Sequence, residues 1–319
     1  MRFTRRSTLA LLALAYVFPG VSLADDDSPL NINLQLKTIG GKQFWTDIRI
    51  QNGWRIQRNH YTHHCRILDD RNIRQAWGSF NQCQQRFEGF VENGKIRPYK
   101  KKIIVLLHGV IRTRNSLKSL AQYLQDHNAA DVISWGYAST RQTIHQHAKQ
   151  FGELLSHFPE DSDVYLVGHS MGNVVVRSYL KNQQDKRLKR MVMLAPPNKG
   201  SAFGRAVNDQ FLFEALWGVS GQELGAGFKK LEEQLATPEF DFGTIAGQLE
   251  SNLVRNPLLS GPSDLVVEVE ETKLPGATDF RTVNSTHTRI MNQRETLQYV
   301  HRFLKSGYFE TATTRNPIP

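Results

Sequence analysis

Apolar and polar positions follow two different patterns along the 319-residue chain. From Tyr99 onward, short apolar runs typical of buried parallel strands alternate with longer segments whose apolar residues recur at helical spacing. This order predicts an α/β domain, with a mostly parallel sheet covered by helices on both faces. The predicted strands are Ile103–Leu107, Asp131–Trp135, Val164–Val167, Met191–Leu194, Phe242–Ala246 and Phe280–Val283, and the predicted helices are Ser116–Gln125, Arg141–Phe158 and Thr288–Lys305.

Within residues 25–98, apolar and polar side chains alternate in the short segments 44–50 and 54–56, on both sides of Asn52-Gly53. Asn-Gly between two alternating segments is a strong β-hairpin signal, because both residues accept the positive φ that a tight turn requires. We therefore expect a small, partly β N-terminal subdomain over residues 25–98. The main domain would then span residues 99–310 and end in a tail at residues 311–319.

The first 24 residues resemble a targeting segment rather than part of a fold. Three arginines precede the apolar stretch 9–18, and Ser22 and Ala24 place small residues at the two positions that a signal peptidase reads. The apolar stretch is too short to span a bilayer comfortably, and no later stretch is long and apolar enough to do so. We expect a signal peptide over residues 1–24, cleaved after Ala24, and an exported protein that is periplasmic or secreted.

The formal net charge is +10, and removal of the three arginines of the signal peptide leaves +7. Such a surplus suits nucleic acid, an anionic membrane surface or an acidic polymer. The basic residues are scattered apart from the runs 100–102 and 186–190, and no nucleic-acid-binding motif is present. We expect no nucleic-acid partner, whereas transient contact with a membrane surface fits the charge. The oligomeric state is left open.

The two cysteines, Cys65 and Cys83, are candidates for a disulfide, because export takes the chain to an oxidising compartment. Such a bridge would stabilise the fold by roughly 3 kcal/mol. His60, His63 and His64 lie beside Cys65, but their spacing fits no zinc pattern. We therefore expect no metal site.

The most informative motif is the G-x-S-x-G pentapeptide Gly168-His169-Ser170-Met171-Gly172. It lies between the apolar run 164–167 and a helix-compatible segment. A sharp strand-to-helix turn there would lift the Ser170 hydroxyl out of the sheet, and the two glycines would let strand and helix approach closely. This context predicts a catalytic serine, whereas the alternative is an ordinary glycine-rich turn.

A serine hydroxyl needs a base to accept its proton and a carboxylate to orient that base. His287 follows the last predicted strand, at the sheet edge where Ser170 also emerges, and is the predicted base. Asp264 lies in the loop Gly-Pro-Ser-Asp between them and is the predicted acid. Three rival carboxylates follow it closely in the chain: Glu268, Glu270 and Glu271.

Acyl transfer also requires two donors for the developing oxyanion. The first is the backbone N–H of Met171, directly after the serine. The second should come from the loop after the first strong strand, where Gly109 permits a sharp turn and Val110 can direct its N–H inward. His108 in the same loop is expected to hold it by hydrogen bonds.

These motifs together resemble bacterial lipases and esterases of the α/β-hydrolase superfamily over about residues 100–305. The resemblance implies an α/β-hydrolase fold and a triad of Ser170, Asp264 and His287, with Val110 and Met171 as oxyanion donors. Many relatives have glycine where this chain has Asn173 and Leu265. The segments that carry the resemblance are Leu107-His108-Gly109, the pentapeptide, Ala195-Pro196-Pro197-Asn198-Lys199-Gly200-Ser201, Asp264 and His287.

We therefore expect an exported serine hydrolase that cleaves acyl or lipid esters through an acyl-enzyme intermediate, without a cofactor. One alternative is an acyltransferase or deacylase acting on cell-envelope lipid or glycan, and another is a non-catalytic binding protein on a hydrolase scaffold. The glycine-rich segment 199–240 carries a cluster of apolar residues. It is either a lid or cap over the site or a set of core-facing helices.

Overall fold

The structure is a computed structural model that describes residues 21–23, 32–34, 37–38, 40–206, 211–250 and 256–319. Nearly all of the predicted signal peptide, with the expected cleavage site after Ala24, lies outside these residues. Within the described ranges, no helix combines the length and the apolar character that crossing a bilayer demands.

The N-terminal part is antiparallel, as the alternating pattern predicted. The turn residues Asn52 and Gly53 have φ values of 49° and 82°, and Gln51 pairs with Trp54, which confirms the hairpin. The strands are β1 (Val21–Leu23), paired with β2 (Ile32–Leu34), and a four-stranded sheet in the order β3 (Trp45–Gln51), β4 (Trp54–Asn59), β5 (Cys65–Leu68) and β6 (Arg74–Gly78).

Helix α1 (Phe80–Glu92) covers one face of this sheet. It begins at a capping box, in which Ser79 accepts a hydrogen bond from the Gln82 N–H and the Gln82 side chain accepts one from the Ser79 N–H. Its inward face and the sheet form a small apolar core of their own. The buried members are Ile56, Cys65, Ile67, Ala76, Cys83, Phe87 and Ile96.

The disulfide predicted between Cys65 and Cys83 is wrong for this structure, because both thiols are free. Both lie in the apolar layer between α1 and the sheet, and burial raises the pKa of each thiol, that of Cys83 to about 12. The Cys65 thiol instead points to the His63 carbonyl oxygen, at 3.9 Å. The two cysteines therefore act as small apolar core residues.

The main domain contains the predicted parallel sheet, in the strand order β12-β11-β10-β9-β7-β8. Each neighbouring pair is parallel. All six predicted strands are present, with bounds shifted by a few residues. They are β7 (Lys102–Leu107), β8 (Asp131–Trp135), β9 (Asp163–His169), β10 (Leu188–Leu194), β11 (Phe242–Gly247) and β12 (Asp279–Val283).

Helices cover both faces of this sheet, which explains why its strands are apolar on both sides. Helices α3 and α4 contribute to the core on one face, and α2 and α9 contribute to the core on the other. The helices are α2 (Lys118–His127), α3 (Ile144–Leu155), α4 (Met171–Leu180), α5 (Ala202–Ala206), α6 (Phe211–Leu224), α7 (Phe228–Glu232), α8 (Val269–Thr272) and α9 (Arg294–Ser306).

Two helices are shorter than the periodicity predicted. Helix α3 begins after Thr143, which forms a capping box with Gln146, instead of at Arg141. The closing helix predicted from Thr288 is divided, because Gln293 is extended (φ −70°, ψ 133°) and separates a 3₁₀ turn from α9. Helix α9 ends at Gly307, whose φ of 77° provides a left-handed C-terminal cap.

The segment 199–240 forms α5, α6 and α7, and residues 207–210 lie outside the described part. Helix α6 is kinked at Gly218 (φ 60°), where a Cβ would lie 1.9 Å from the Thr140 carbonyl oxygen. Its second half is anchored, because the Ser220 hydroxyl donates to the Gln142 carbonyl at 2.6 Å and the Ile144 N–H donates to the Glu223 carboxylate at 2.7 Å. The second half of α6 therefore resembles a core-facing helix. That the segment 199–240 moves as a lid over the site remains a prediction.

Candidate active site

Ser170 occupies a strained turn between β9 and α4. Its φ of 52° and ψ of −123° lie in a region that residues with a Cβ rarely adopt. The turn is held because the Ser170 N–H donates to the Leu194 carbonyl at 2.9 Å and the Asn173 side chain donates to the Ser170 carbonyl at 3.0 Å. The strand–turn–helix context expected for the pentapeptide is therefore present.

Both glycines of the pentapeptide are required by close contacts. A Cβ on Gly168 would lie 2.2 Å from the Asn173 side-chain oxygen, and a Cβ on Gly172 would lie 2.6 Å from the Leu107 carbonyl oxygen. Distances this short are not compatible with any side chain. The G-x-S-x-G spacing thus follows from the approach of α4 to β9 and β7.

Asp264 and His287 meet at the same edge of the sheet, in the loops that follow β11 and β12. The His287 Nδ1–H donates to Asp264 Oδ2 at 2.7 Å, because an ionised carboxylate can only accept. This tautomer leaves Nε2 of His287 as the hydrogen-bond acceptor. The backbone N–H of His287 also donates to the Asp264 carbonyl, at 2.9 Å, so the two residues are joined twice.

The Asp264 carboxylate is 1% exposed and has its oxygens occupied by donors. Besides His287, the N–H groups of Val266 and Val267 donate to Oδ1 at 3.0 and 2.8 Å. Leu265, where many relatives have glycine, has a φ of 80° that glycine would adopt without strain. The Asn256 side chain donates to the Leu265 carbonyl at 2.8 Å and holds this turn.

The three rival carboxylates are engaged elsewhere. Glu268 accepts hydrogen bonds from the N–H groups of Ser260 and Gly261. Glu270 is exposed and lies 2.8 Å from the ammonium groups of two lysines. Glu271 accepts from the Ala202 N–H and the Arg205 guanidinium. Of these carboxylates, only Asp264 contacts His287.

His169 connects the serine turn to the histidine loop, a role that the sequence alone did not reveal. Its Nε2–H donates to the His287 carbonyl at 2.9 Å, and the two ring centroids are 4.9 Å apart. Burial lowers the pKa of His169 well below its usual value, with a smaller effect from His287 in the same direction, so it is a neutral donor. The Ser170 hydroxyl, one residue further, has no hydrogen-bond partner among the described residues. Such contacts often tighten only when substrate binds.

The loop after β7 lies against Ser170, as expected for an oxyanion loop. A Cβ on Gly109 would lie 3.1 Å from the Ser170 Cβ, so the glycine allows this approach. The backbone N–H groups of Val110 and Met171 have no partner within the described part of the chain. Met171 also begins α4, where the helix dipole favours a negative charge.

His108 stabilises this loop through contacts with Gly109 and Tyr137. Its Nδ1 lies 2.8 Å from the Gly109 carbonyl, and its ring stacks on Tyr137 with centroids 4.2 Å apart. The Tyr137 hydroxyl donates to the His108 carbonyl. Burial lowers the pKa of His108 to about 4, which keeps the imidazole neutral near pH 7. These contacts fit the structural role expected for His108.

The N-terminal subdomain contacts the main domain close to this loop through a buried carboxylate. Asp47 accepts hydrogen bonds from the Gly136 N–H at 2.9 Å, from Arg114 at 3.1 Å and from Gln57 at 2.6 Å. The Trp135 indole donates to the Asp47 carbonyl at 2.8 Å. Sequence reasoning missed this contact, because the alternation of Ile48 and Ile50 leaves Asp47 on the polar positions of its strand.

Metal-binding side chains do not gather in groups of three or more anywhere in the described part of the chain. His60, His63 and His64, which precede Cys65 in the sequence, therefore do not form such a group with it.

Comparison with known proteins gives matches at the level of the fold. The family model for lecithin:cholesterol acyltransferase matches residues 124–207, which include the pentapeptide. The mature lipase BlEst2 of Bacillus licheniformis superimposes with a TM-score of 0.52 at 18% identity, over 66% of this chain and 94% of that chain.

Phospholipase PlaB of Legionella pneumophila, in complex with thio-NAD, superimposes with a TM-score of 0.51 at 18% identity, over 65% of this chain and 59% of that chain. No curated protein sequence matches the chain. The protein has the α/β-hydrolase fold, and the predicted resemblance to lipases and esterases is confirmed at the level of the fold.

Proposed function

We propose that the protein is an exported serine carboxylester hydrolase that acts on lipid esters. The observation that carries this proposal is the hydrogen-bonded pair of Asp264 and His287 at the sheet edge where Ser170 stands in its strained turn. This is the set of side chains that activates a serine hydroxyl.

In the proposed reaction, the Ser170 Oγ attacks the ester carbonyl carbon and its proton passes to Nε2 of His287. Asp264 stabilises the imidazolium that results. The tetrahedral oxyanion accepts hydrogen bonds from the N–H groups of Val110 and Met171. The bond to the alcohol oxygen then breaks, and His287 returns the proton to the leaving alcohol. An acyl-Ser170 ester remains.

Water completes the cycle. His287 removes a proton from the water, whose oxygen attacks the acyl carbon, and a second tetrahedral intermediate forms in the same oxyanion site. Its collapse breaks the bond to Ser170 Oγ, which regains its proton from His287. The products are the free acid and the original enzyme, so no external oxidant, reductant or cofactor enters the balance.

The surface near the site supports a lipid substrate. The ring centroids of Phe44 and Tyr61 are 6.1 Å apart, and the Arg141 guanidinium lies 5.4 Å from the Phe44 ring centroid. Aromatic side chains edged by arginine suit an anionic membrane surface. The large apolar side chains exposed around the loop 139–141 and the oxyanion loop are Phe44 (47%), Tyr61 (58%), Ile111 (41%) and Val219 (42%).

The test compares Ser170→Ala and Asp264→Asn with the wild type on p-nitrophenyl esters of several acyl lengths. We expect kcat to fall by about 10⁴-fold or more in each, because the residues act as one unit. Glu270→Gln is the matched control, since Glu270 is an exposed carboxylate in the same region and does not contact His287. Unchanged turnover in Ser170→Ala would refute the proposal.

Acyl transfer is the second candidate, favoured by the match to the lecithin:cholesterol acyltransferase family model. The chemistry is the same up to the acyl-enzyme, after which an alcohol instead of water accepts the acyl group. Incubation of the enzyme with a phospholipid substrate and an added alcohol separates the two, because a transferase yields a new ester and a hydrolase yields free acid. A fluorophosphonate probe tests the non-catalytic alternative, for which Ser170 would remain unlabelled.

Export is part of the proposal, and it is supported by the arginines, apolar stretch and small residues of segment 1–24. The measurement is N-terminal sequencing of the protein recovered from the periplasm or the medium, which we expect to begin at Asp25.

A further inference from the structure

The side chain of Gln43 joins the N-terminal segment to two loops beside the candidate active site. Its Nε2 donates to the carbonyls of Ile111 and Arg112, both at 3.0 Å. Its Oε1 accepts from the hydroxyls of Ser139 and Thr140 at 3.3 and 3.2 Å. Both donors and both acceptor positions of the amide are therefore used.

The two carbonyls that Gln43 holds directly follow Val110, the proposed oxyanion donor. Ile111 has a φ of 64°, an unfavourable conformation for a β-branched residue, and its side chain is exposed. A strained conformation of this kind persists only where the surroundings hold it. The Arg112 N–H returns to the Gly109 carbonyl at 3.3 Å, so Gly109–Arg112 is one tight turn.

We propose that Gln43 is a positioning residue that holds this turn so that the Val110 N–H faces the reacting carbonyl at Ser170. The N-terminal subdomain would thereby affect the turnover of the main domain, although none of its described residues belongs to the proposed catalytic machinery. This inference rests on the proposed esterase function and adds to it a role for residues outside the hydrolase domain.

A second contact supports the same role. Arg114, two residues beyond the turn, donates to the Asp47 carboxylate at 3.1 Å, to the Gly40 carbonyl at 3.3 Å and to the Asn72 side chain at 3.1 Å. All three partners belong to the N-terminal part. The turn is thus attached to that part by Gln43 within its second half and by Arg114 just beyond its end.

The chain also offers a matched control for docking of the subdomain. Arg58 on β4 forms a two-bonded ion pair with Glu153 on α3, at 2.7 and 2.9 Å. This pair joins the same two parts of the protein but makes no contact with the turn. Its loss should therefore weaken docking without moving the Val110 N–H.

The experiment compares Gln43→Glu, Gln43→Ala and Arg58→Gln with the wild type. Gln43→Glu keeps the shape and the acceptor oxygen but loses both donors. We measure kcat and KM for a p-nitrophenyl ester, Kd for an arylboronic acid that forms a tetrahedral adduct with serine, and Tm. We expect both Gln43 variants to lower kcat by about tenfold, with KM within about twofold and boronate affinity reduced in proportion to kcat.

The pH–rate profile should keep the apparent pKa of the wild type, because the base is not altered. Arg58→Gln should retain the wild-type kcat even if its Tm falls as far as that of Gln43→Ala. Thr140→Val removes one hydrogen-bond donor to Gln43 and preserves the side-chain volume. We expect it to lower kcat by about twofold to threefold without changing KM. This variant tests the proposal if the Gln43 variants do not fold.

Wild-type kcat and boronate affinity in folded Gln43→Glu would overturn the proposal, as would an equal loss of kcat in Arg58→Gln. If the Gln43 variants do not fold, wild-type kcat in Thr140→Val overturns it. Failure of the proposed function gives a different result, namely no esterase activity in the wild type or full activity in Ser170→Ala.

Discussion

The Nε2–H of His169 donates to the carbonyl oxygen of His287 at 2.9 Å. This bond connects the residue next to the proposed nucleophile, at the end of β9, with the backbone of the proposed base, which is 118 residues away in the chain. It holds the His287 loop against the serine turn, while Asp264 orients the imidazole. The second residue of the pentapeptide, His169, therefore contributes to the geometry of the site as well as to the turn.

Removal of this bond should lower turnover. We expect His169→Leu to reduce kcat by about tenfold, because the His287 loop loses the donor that places it and small displacements of a catalytic group are costly. His169→Gln keeps an N–H donor of similar reach and should retain more activity. The measurement is kcat and KM with a p-nitrophenyl ester, and wild-type kcat in His169→Leu would contradict this account.

The pentapeptide glycine Gly172 should not accept a side chain. Gly172→Ala places a Cβ 2.6 Å from the Leu107 carbonyl oxygen, so α4 or β7 must move. We expect the free energy of unfolding to fall by about 2–3 kcal/mol, as in overpacked cores, and esterase activity to fall because Ser170 is displaced. Denaturant unfolding and turnover are the measurements.

Gly89 in α1 provides the matched control, since an added Cβ there meets no atom within 4 Å. Gly89→Ala should raise the free energy of unfolding by about 0.5–1 kcal/mol, through the better helix propensity of alanine. A similar loss of stability in both variants would show that contact with Leu107 is not the cause.

Three buried histidines should make stability depend on pH below 7. Burial lowers the pKa of His108 to about 4, that of His147 to about 3 and that of His169 well below its usual value. In the unfolded chain each gains a proton near pH 6.5, whereas in the folded protein each stays neutral. The unfolded state therefore binds more protons below pH 6.5, and the free energy of unfolding falls as the pH is lowered.

The expected slope is roughly 1 kcal/mol per pH unit for each histidine between about pH 6 and the lower pKa of the folded state. Urea unfolding at pH 7.5, 6 and 5 measures it. His147→Leu should reduce the slope by about one third, because one of the three groups is removed. A free energy of unfolding that is constant from pH 7.5 to 5 would rule out this explanation.

The free thiols predict that a reductant has no effect on stability. Because Cys65 and Cys83 are unpaired, Tm should be the same with and without dithiothreitol, and the protein unfolded without reductant should react at two thiols per chain. If the disulfide instead forms, the reductant should lower the free energy of unfolding by roughly 3 kcal/mol, and the non-reduced unfolded chain should show no free thiol.

Most elements of the main domain were predictable, because each depends on a pattern within about ten residues. Apolar runs marked all six strands of the central sheet, and Asn52-Gly53 marked the hairpin. Helix bounds were less well predicted, since apolar spacing continues past the points where Thr143 caps α3 and Gln293 interrupts the closing helix.

Among the site residues, Ser170 was the most readable, because the glycines that its turn requires are its neighbours in the chain. Asp264 was the predicted acid, but the sequence left Glu268, Glu270 and Glu271 as rivals. The structure distinguishes Asp264 because the N–H groups of Val266 and Val267 donate to its carboxylate in a buried loop. The sequence does not specify which carboxylate those donors reach.

By itself, the sequence determined the strand and helix types, the hairpin and the serine turn, because short-range periodicity and backbone sterics decide them. The tertiary structure alone decided the contact of His287 with Asp264, the bond from His169, the unpaired cysteines and the attachment of Gln43 to the loop beside Ser170. These depend on which distant segments the packed sheet brings together. A hydrogen bond between such segments leaves no periodic pattern in the chain.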